Sequence, residues 1–164
     1  MLDNLSVSYE SGKIYGLVGE NGAGKTTLFN CIMGVTGYEG EIRKLSPMTV
    51  GYMPAENFFY SLITGKEYLE FCIKAKGKKM DTKAIDSLNE VFQLPLERFA
   101  SDYSTGMKKK LALMSLLLQD NDLYILDEPF NGVDLYGCIQ LKRIIRELKD
   151  KDCHNIIASH QYVI

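Results

Sequence analysis

The chain has 164 residues, a formal net charge of −2, 46% hydrophobic and 24% charged residues. That is one domain's worth of chain, long enough to bury a real core. The near-zero charge gives no basic excess for a DNA or RNA partner, so no nucleic acid is expected. The four cysteines (Cys31, Cys72, Cys138 and Cys153) are scattered, with no Cys-x-x-Cys, and read as free thiols of a reducing compartment. The longest apolar stretch, near Leu111–Leu118, is too short to span a membrane, and the N-terminus has no signal-peptide layout.

In chain order, Leu5, Val7 and Tyr9 alternate with polar residues, which predicts a half-exposed strand over residues 2–10. Ser11-Gly12-Lys13 then turns into the apolar run Ile14–Val18, expected to be a buried strand. Directly after it comes Gly19-Glu20-Asn21-Gly22-Ala23-Gly24-Lys25-Thr26-Thr27. This is G-x-x-x-x-G-K-[ST], the pattern of a loop that cradles phosphate. Gly22 and Gly24 let the backbone curl so that successive N–H groups converge on one hollow. A helix starting at Lys25 adds its positive end, and the Lys25 ammonium adds a full charge. The Thr26 hydroxyl suits Mg²⁺. Gly34 is the expected helix stop. Glu41–Arg43 and Thr49–Met53 are read as strands of a small antiparallel β section, the second ending at Pro54.

The pattern then becomes helical. Thr64-Gly65-Lys66-Glu67 fits a capping box before a helix carrying Tyr68, Leu69, Cys72 and Ala75. Asp81 or Thr82 should cap a second helix, with Ile85, Leu88 and Phe92 on one face. A Leu-rich helix follows from about Gly106 to Gln119. Residues from about 57 to 119 therefore read as a helical insert within an α/β core formed by about 1–56 and 120–164. Ser104, Gly106 and the helix N-terminus form a second candidate anion grip, which makes sense if it serves another subunit's nucleotide. Lys108-Lys109-Lys110 reads as a solvated helix face.

Leu123–Leu126 is an apolar strand that delivers Asp127 and Glu128 at its C-terminal end, where parallel sheets place ligand chemistry. Asp127 is placed to hold the metal on Thr26, and Glu128 to polarise a water. A helix over Leu135–Lys149 has Cys138, Leu141, Ile145 and Leu148 as its apolar stripe. A last strand, Asn155–Ser159, ends at His160. Strands alternating with helices imply parallel pairing with right-handed crossovers.

The order of these elements resembles that of the ATP-binding-cassette (ABC) ATPases: phosphate loop, helical insert, Ser-x-Gly before a Lys-rich helix, four apolar residues and Asp-Glu-Pro, Asn131-Gly132-Val133-Asp134, then Ser159-His160. The resemblance covers nearly the whole chain. It implies the phosphate-loop NTPase fold and ATP with Mg²⁺ as cofactors. It further implies Lys25, Glu128 and His160 as catalytic residues, with Glu128 the base and His160 on the γ-phosphate, and Thr26 and Asp127 as metal ligands. Ser104, Gly106 and Asp134 are implied at the nucleotide of a second, identical subunit. A separate integral membrane permease is the other implied partner, which would hold the protein at the inner, cytoplasmic face of the membrane. Gly51-Tyr52-Met53-Pro54 and Thr64–Leu69 are similar to exporters of drugs, peptides or antibiotics. The alternatives are a soluble ABC ATPase outside transport and a nucleotide-binding module with impaired hydrolysis.

The chain departs from that family in four places. Ala55 stands where a Gln is usual, and Thr105 stands within the signature where Ser-Gly-Gly-Gln is common, which requires a local φ that is not strongly positive. The adenine-stacking aromatic is expected upstream of Met1, leaving Tyr9 a strand residue. The chain also stops soon after His160, so relative to the family it reads as truncated at both ends.

Overall fold

The computed structural model describes residues 4–44, 47–149 and 153–159. It divides the chain into two units. The first is Met1–Ala55, Asn121–Asn131 and Gln140–Ile164, and the second is Glu56–Asp120 with Gly132–Ile139.

The first unit is built on a parallel sheet. Its strands are β1 (Ile14–Val18), β2 (Val50–Met53), β3 (Leu123–Asp127) and β4 (His154–Ser159). They lie in the order β1-β4-β3-β2, with all three pairings parallel. Register aligns Val18 with Ser159 and Asp127 with Ala158, so β1, β3 and β4 end side by side. In open parallel sheets, the crevice outside such strand ends is where ligands bind.

Helix α1 (Lys25–Met33) covers one sheet face. Its Leu28, Phe29 and Ile32 pack with Leu123, Ile125, Ile156 and Ala158, and half-buried Val50 and Tyr52 border the cluster. Fully burying each large apolar side chain stabilises by about 1.5–3 kcal/mol, so this cluster anchors the helix that follows the phosphate loop. Gly34 ends α1 in the left-handed region at φ 74° and donates its N–H to the carbonyl of Cys31.

The second unit is helical: α2 (Gly65–Ala75), α3 (Thr82–Phe92) and α4 (Thr105–Gln119), with α2 and α3 both packed on α4. Thr64 and Glu67 form the complete capping box of α2, and the Asp81 side chain caps α3. The buried side of α2 is Leu69 and Ile73, while Ala75 is exposed. Helix α5 (Leu135–Lys149) opens in this unit, where Asp134 Oδ1 accepts from the Gly137 N–H at 2.7 Å. Its buried Leu141, Ile144, Ile145 and Leu148 belong to the first unit.

Four sequence expectations are corrected. Lys108-Lys109-Lys110 is not a solvated face: Lys109 is buried, and Lys108 and Lys110 are half-buried. Strand β1 is not buried: Gly16 and Val18 are exposed, because among the described strands it pairs only with β4. Residues 4–10 form no strand. Leu5 and Val7 are exposed, the Glu10 N–H bonds to the Tyr15 hydroxyl at 2.9 Å, and the Tyr9 ring meets the Tyr15 ring edge-on instead of joining a ladder. Glu41–Arg43 is also not a strand; its two charges pair with each other at 2.9 Å in solvent. The small antiparallel β section is thus not found among the described residues, where the only antiparallel bridge joins Thr64 and Phe99.

Candidate active site

Strand β1 runs directly into the loop 19–24. The loop is pinned to the sheet where the Gly19 N–H donates to the Ser159 carbonyl at 3.4 Å, and an Ala23 N–H to Glu20 carbonyl bond of 3.1 Å curls it. Gly22 (φ 84°) and Gly24 (φ 97°) occupy the left-handed region, which costs a residue with a Cβ about 1–2 kcal/mol. Gly24 is the N-cap of α1, and no side chain caps that helix. Glu20, Asn21, Ala23, Thr26 and Thr27 are exposed along the loop and first turn.

Lys25 is buried and folded back over its own loop. Its ammonium donates to the carbonyls of Gly19 at 2.6 Å and Glu20 at 3.1 Å, and lies 3.7 Å from Glu128 Oε1. Both side chains of this pair are nearly buried. Breaking such a pair by removing one partner destabilises by roughly 3–5 kcal/mol, because a charge is left uncompensated. The Thr26 hydroxyl donates to Asp127 Oδ2 at 2.6 Å, a bond between residues 101 apart in sequence.

Strand β3 supplies both acids. Asp127 is 1% exposed, on the sheet face that α1 covers. Glu128 has φ 48°, uncommon for a residue with a side chain, and its N–H bonds to the Ala158 carbonyl at 3.0 Å. Strain of this kind is concentrated at functional sites.

Tyr52 is a neighbour of the site that no motif predicts. It sits on β2 with its ring edge-on to Phe29, and first burial, then the Asp127 charge, push its phenol above the ordinary value. Nothing in motif spacing signals this neighbour; only the register of β2 beside β3 does.

The oxygen set fits a hard divalent cation. Thr26 spends its proton on Asp127, which leaves the Oγ1 lone pairs to ligate. Among the described residues no group of three or more His, Cys, Asp and Glu side chains is poised for a metal. Mg²⁺ takes one or two protein oxygens and completes its shell with phosphate and water.

Ser104, Gly106 and Asp134 lie in the second unit. Ser104 is the N-cap of α4, its hydroxyl accepting from the Met107 N–H at 3.3 Å. Thr105 is the first helical residue and does not have positive φ. Asp134 is exposed, and its neighbour Val133 lies against Gly106. Ser104, Gly106 and Asp134 are therefore gathered within one unit, and Lys25, Thr26, Asp127 and Glu128 within the other. His160 lies outside the described residues.

A phosphate loop on a parallel strand, with a lysine and a Thr–Asp pair at its base, defines the class of phosphate-loop nucleotide-binding proteins. The chain belongs to the ABC transporter family, whose model matches residues 2–131. It is 32% identical to the bacitracin transport ATP-binding protein BcrA of Enterococcus faecalis, over 98% of this chain and 56% of that protein. It is 34% identical to the zinc import ATP-binding protein ZnuC of Pseudomonas aeruginosa, over 98% of this chain and 60% of that one. A solved ATP-binding subunit of an ABC transporter superposes with a TM-score of 0.87 at 26% identity, covering 97% of this chain and 72% of that one. The chain thus spans little more than half the length of the two curated relatives. No helix among its described residues is long and apolar enough to cross a membrane.

Proposed function

We propose that the chain binds and hydrolyses ATP as the nucleotide-binding part of an ABC transporter, driving transport through a separate membrane permease. The single observation that carries this reading is the 2.6 Å bond between Thr26 and Asp127, with the Lys25–Glu128 pair beside it. It joins the phosphate loop to the acidic strand end, as phosphoryl chemistry requires.

In this reading, loop amides and the α1 terminus hold the β- and γ-phosphates, and Lys25 leaves its loop carbonyls to pair with them. Thr26 and Asp127 hold Mg²⁺, which when bound neutralises charge on the phosphate oxygens. Glu128 orients water in line with the γ-phosphate and accepts its proton as the oxygen attacks, releasing ADP and phosphate. His160 takes the γ-phosphate contact that the family resemblance gives it. Ser104, Gly106 and Asp134 serve the nucleotide of a second copy, so two chains close head to tail on two ATP molecules. The two chains dock on the permease at the inner face of the membrane.

Direction is the finer part of the proposal. Export rests on the likeness to exporters of antibiotics and drugs, and bacitracin transport by a relative agrees with it. A zinc importer of comparable identity stands on the other side. Cargo movement measured in vesicles carrying the permease decides between them.

The catalytic proposal is tested by comparing wild type with Glu128→Gln. Wild type turns over MgATP. The variant keeps ATP affinity but loses about 10²- to 10⁴-fold in rate, the usual contribution of a positioned base. Equal turnover removes Glu128 from the mechanism, and absence of ATP binding in wild type removes the whole reading.

A further inference from the structure

The second unit holds a tight seam between the start of α4 and the segment before α5. Thr105 stands where the family signature usually has glycine. Its Cγ2 methyl lies 2.8 Å from the place a Cβ on Gly132 would take, and its Cβ 3.5 Å from it. Gly132 itself has φ 73°, so a side chain there is excluded by both backbone and neighbour. One residue on, the arrangement is reversed. Val133 faces Gly106, whose Cβ position is 3.9 Å from both the Cα and Cγ1 of Val133. Val133 Cγ1 is also 2.6 Å from the Cβ position of Gly137. Asp134 Oδ1 closes the turn by accepting from the Gly137 N–H at 2.7 Å. Branched side chains therefore meet glycines at three successive points. Close-packed surfaces of this kind are not continuously deformable, so the segment cannot approach α4 without meeting the Thr105 methyl.

We propose that Thr105 is a positioning residue: its methyl, set over Gly132, fixes the segment Gly132–Asp134 against the N-terminal turn of α4, so that Ser104 and Asp134 are presented together as one surface. This role rests on the proposed function, in which that surface meets the nucleotide of a second copy. The methyl acts through Gly132 and touches no substrate. A glycine at 105 would leave the segment free to slide; this chain has replaced that freedom with a contact.

The test is made in the Glu128→Gln protein, where ATP is held without turnover, and reads ATP-driven self-association by sedimentation alongside the nucleotide-free melting midpoint. Thr105→Val keeps the shape and associates as the parent does. Thr105→Ser keeps the hydroxyl, loses the methyl and raises the dimer dissociation constant about two- to fourfold, the upper figure being that of one fully buried methyl, with only a small fall in the melting midpoint. Gly132→Ala weakens association further, and adding Thr105→Ser to it restores part of the loss, so the two changes are non-additive. Thr105→Ser equal to the parent, Ser and Val falling alike, or strict additivity overturns the role while the proposed function stands. A parent that binds no ATP, or binds it and stays monomeric, refutes the proposed function and this role with it.

Discussion

Helices α1 and α2 begin in opposite ways. At α2 the Thr64 hydroxyl accepts from the Glu67 N–H at 3.2 Å, and Glu67 accepts from the Thr64 N–H at 2.8 Å. Two of the N–H groups that a helix start leaves without helical partners are satisfied there by the chain itself. At α1 the cap is Gly24 in the left-handed region, with no side chain bonding back. The lesson is that an N-terminus can be finished for stability or kept for a ligand. The sequence signs differ accordingly: Thr-x-x-Glu for the first, glycines before a lysine for the second.

That contrast can be broken by mutation. The largest effect is expected at Lys25. Lys25→Ala removes a charge-assisted contact of about 1.5–3 kcal/mol, so ATP affinity measured by calorimetry falls at least about tenfold, and the buried Glu128 is left without its 3.7 Å partner. A Lys25→Ala protein that binds ATP as wild type does would place the phosphate elsewhere. A smaller and opposite effect belongs to α2. Thr64→Ala lowers unfolding stability by about 1 kcal/mol and leaves ATP affinity unchanged. Acid sharpens this second case. The backbone and hydroxyl bonds from Thr64 lower the Glu67 carboxyl below its ordinary value. A lowered folded value gives a contribution that is complete above the unfolded carboxyl value and lost as pH falls through the folded one. The stability gap between wild type and Thr64→Ala therefore narrows in acid, and denaturant titrations across that range read it directly.

Local chemistry made much of the molecule legible. The phosphate loop, the Thr64 box and the apolar run ending in Asp127-Glu128 each satisfy a short-range rule, and each appears where its residues stand. Partnership between strands was less visible. Ile14–Val18 is apolar enough for a central strand, yet an apolar run does not say how many neighbours a strand has, and β1 pairs only with β4 among the described strands. The alternation of Leu5, Val7 and Tyr9 has the period of a strand, but the Glu10 N–H bonds to a side chain instead of a ladder. Thr26 with Asp127 was legible across 101 residues because both belong to motifs; two other distant contacts left no trace in spacing. Tyr52 near Asp127, and the Thr105 methyl over Gly132, depend on register and packing that no window of residues contains.

Amide resonances followed by NMR as ATP is added to the monomeric chain test the central claim most directly. Binding through an open helix cap moves the N–H signals of Gly22, Gly24, Lys25 and Thr26 first and furthest, while those of Lys66 and Glu67 at the closed cap of α2 stay in place. Shifts confined to residues outside 19–27, or equal movement at both helix starts, would contradict it.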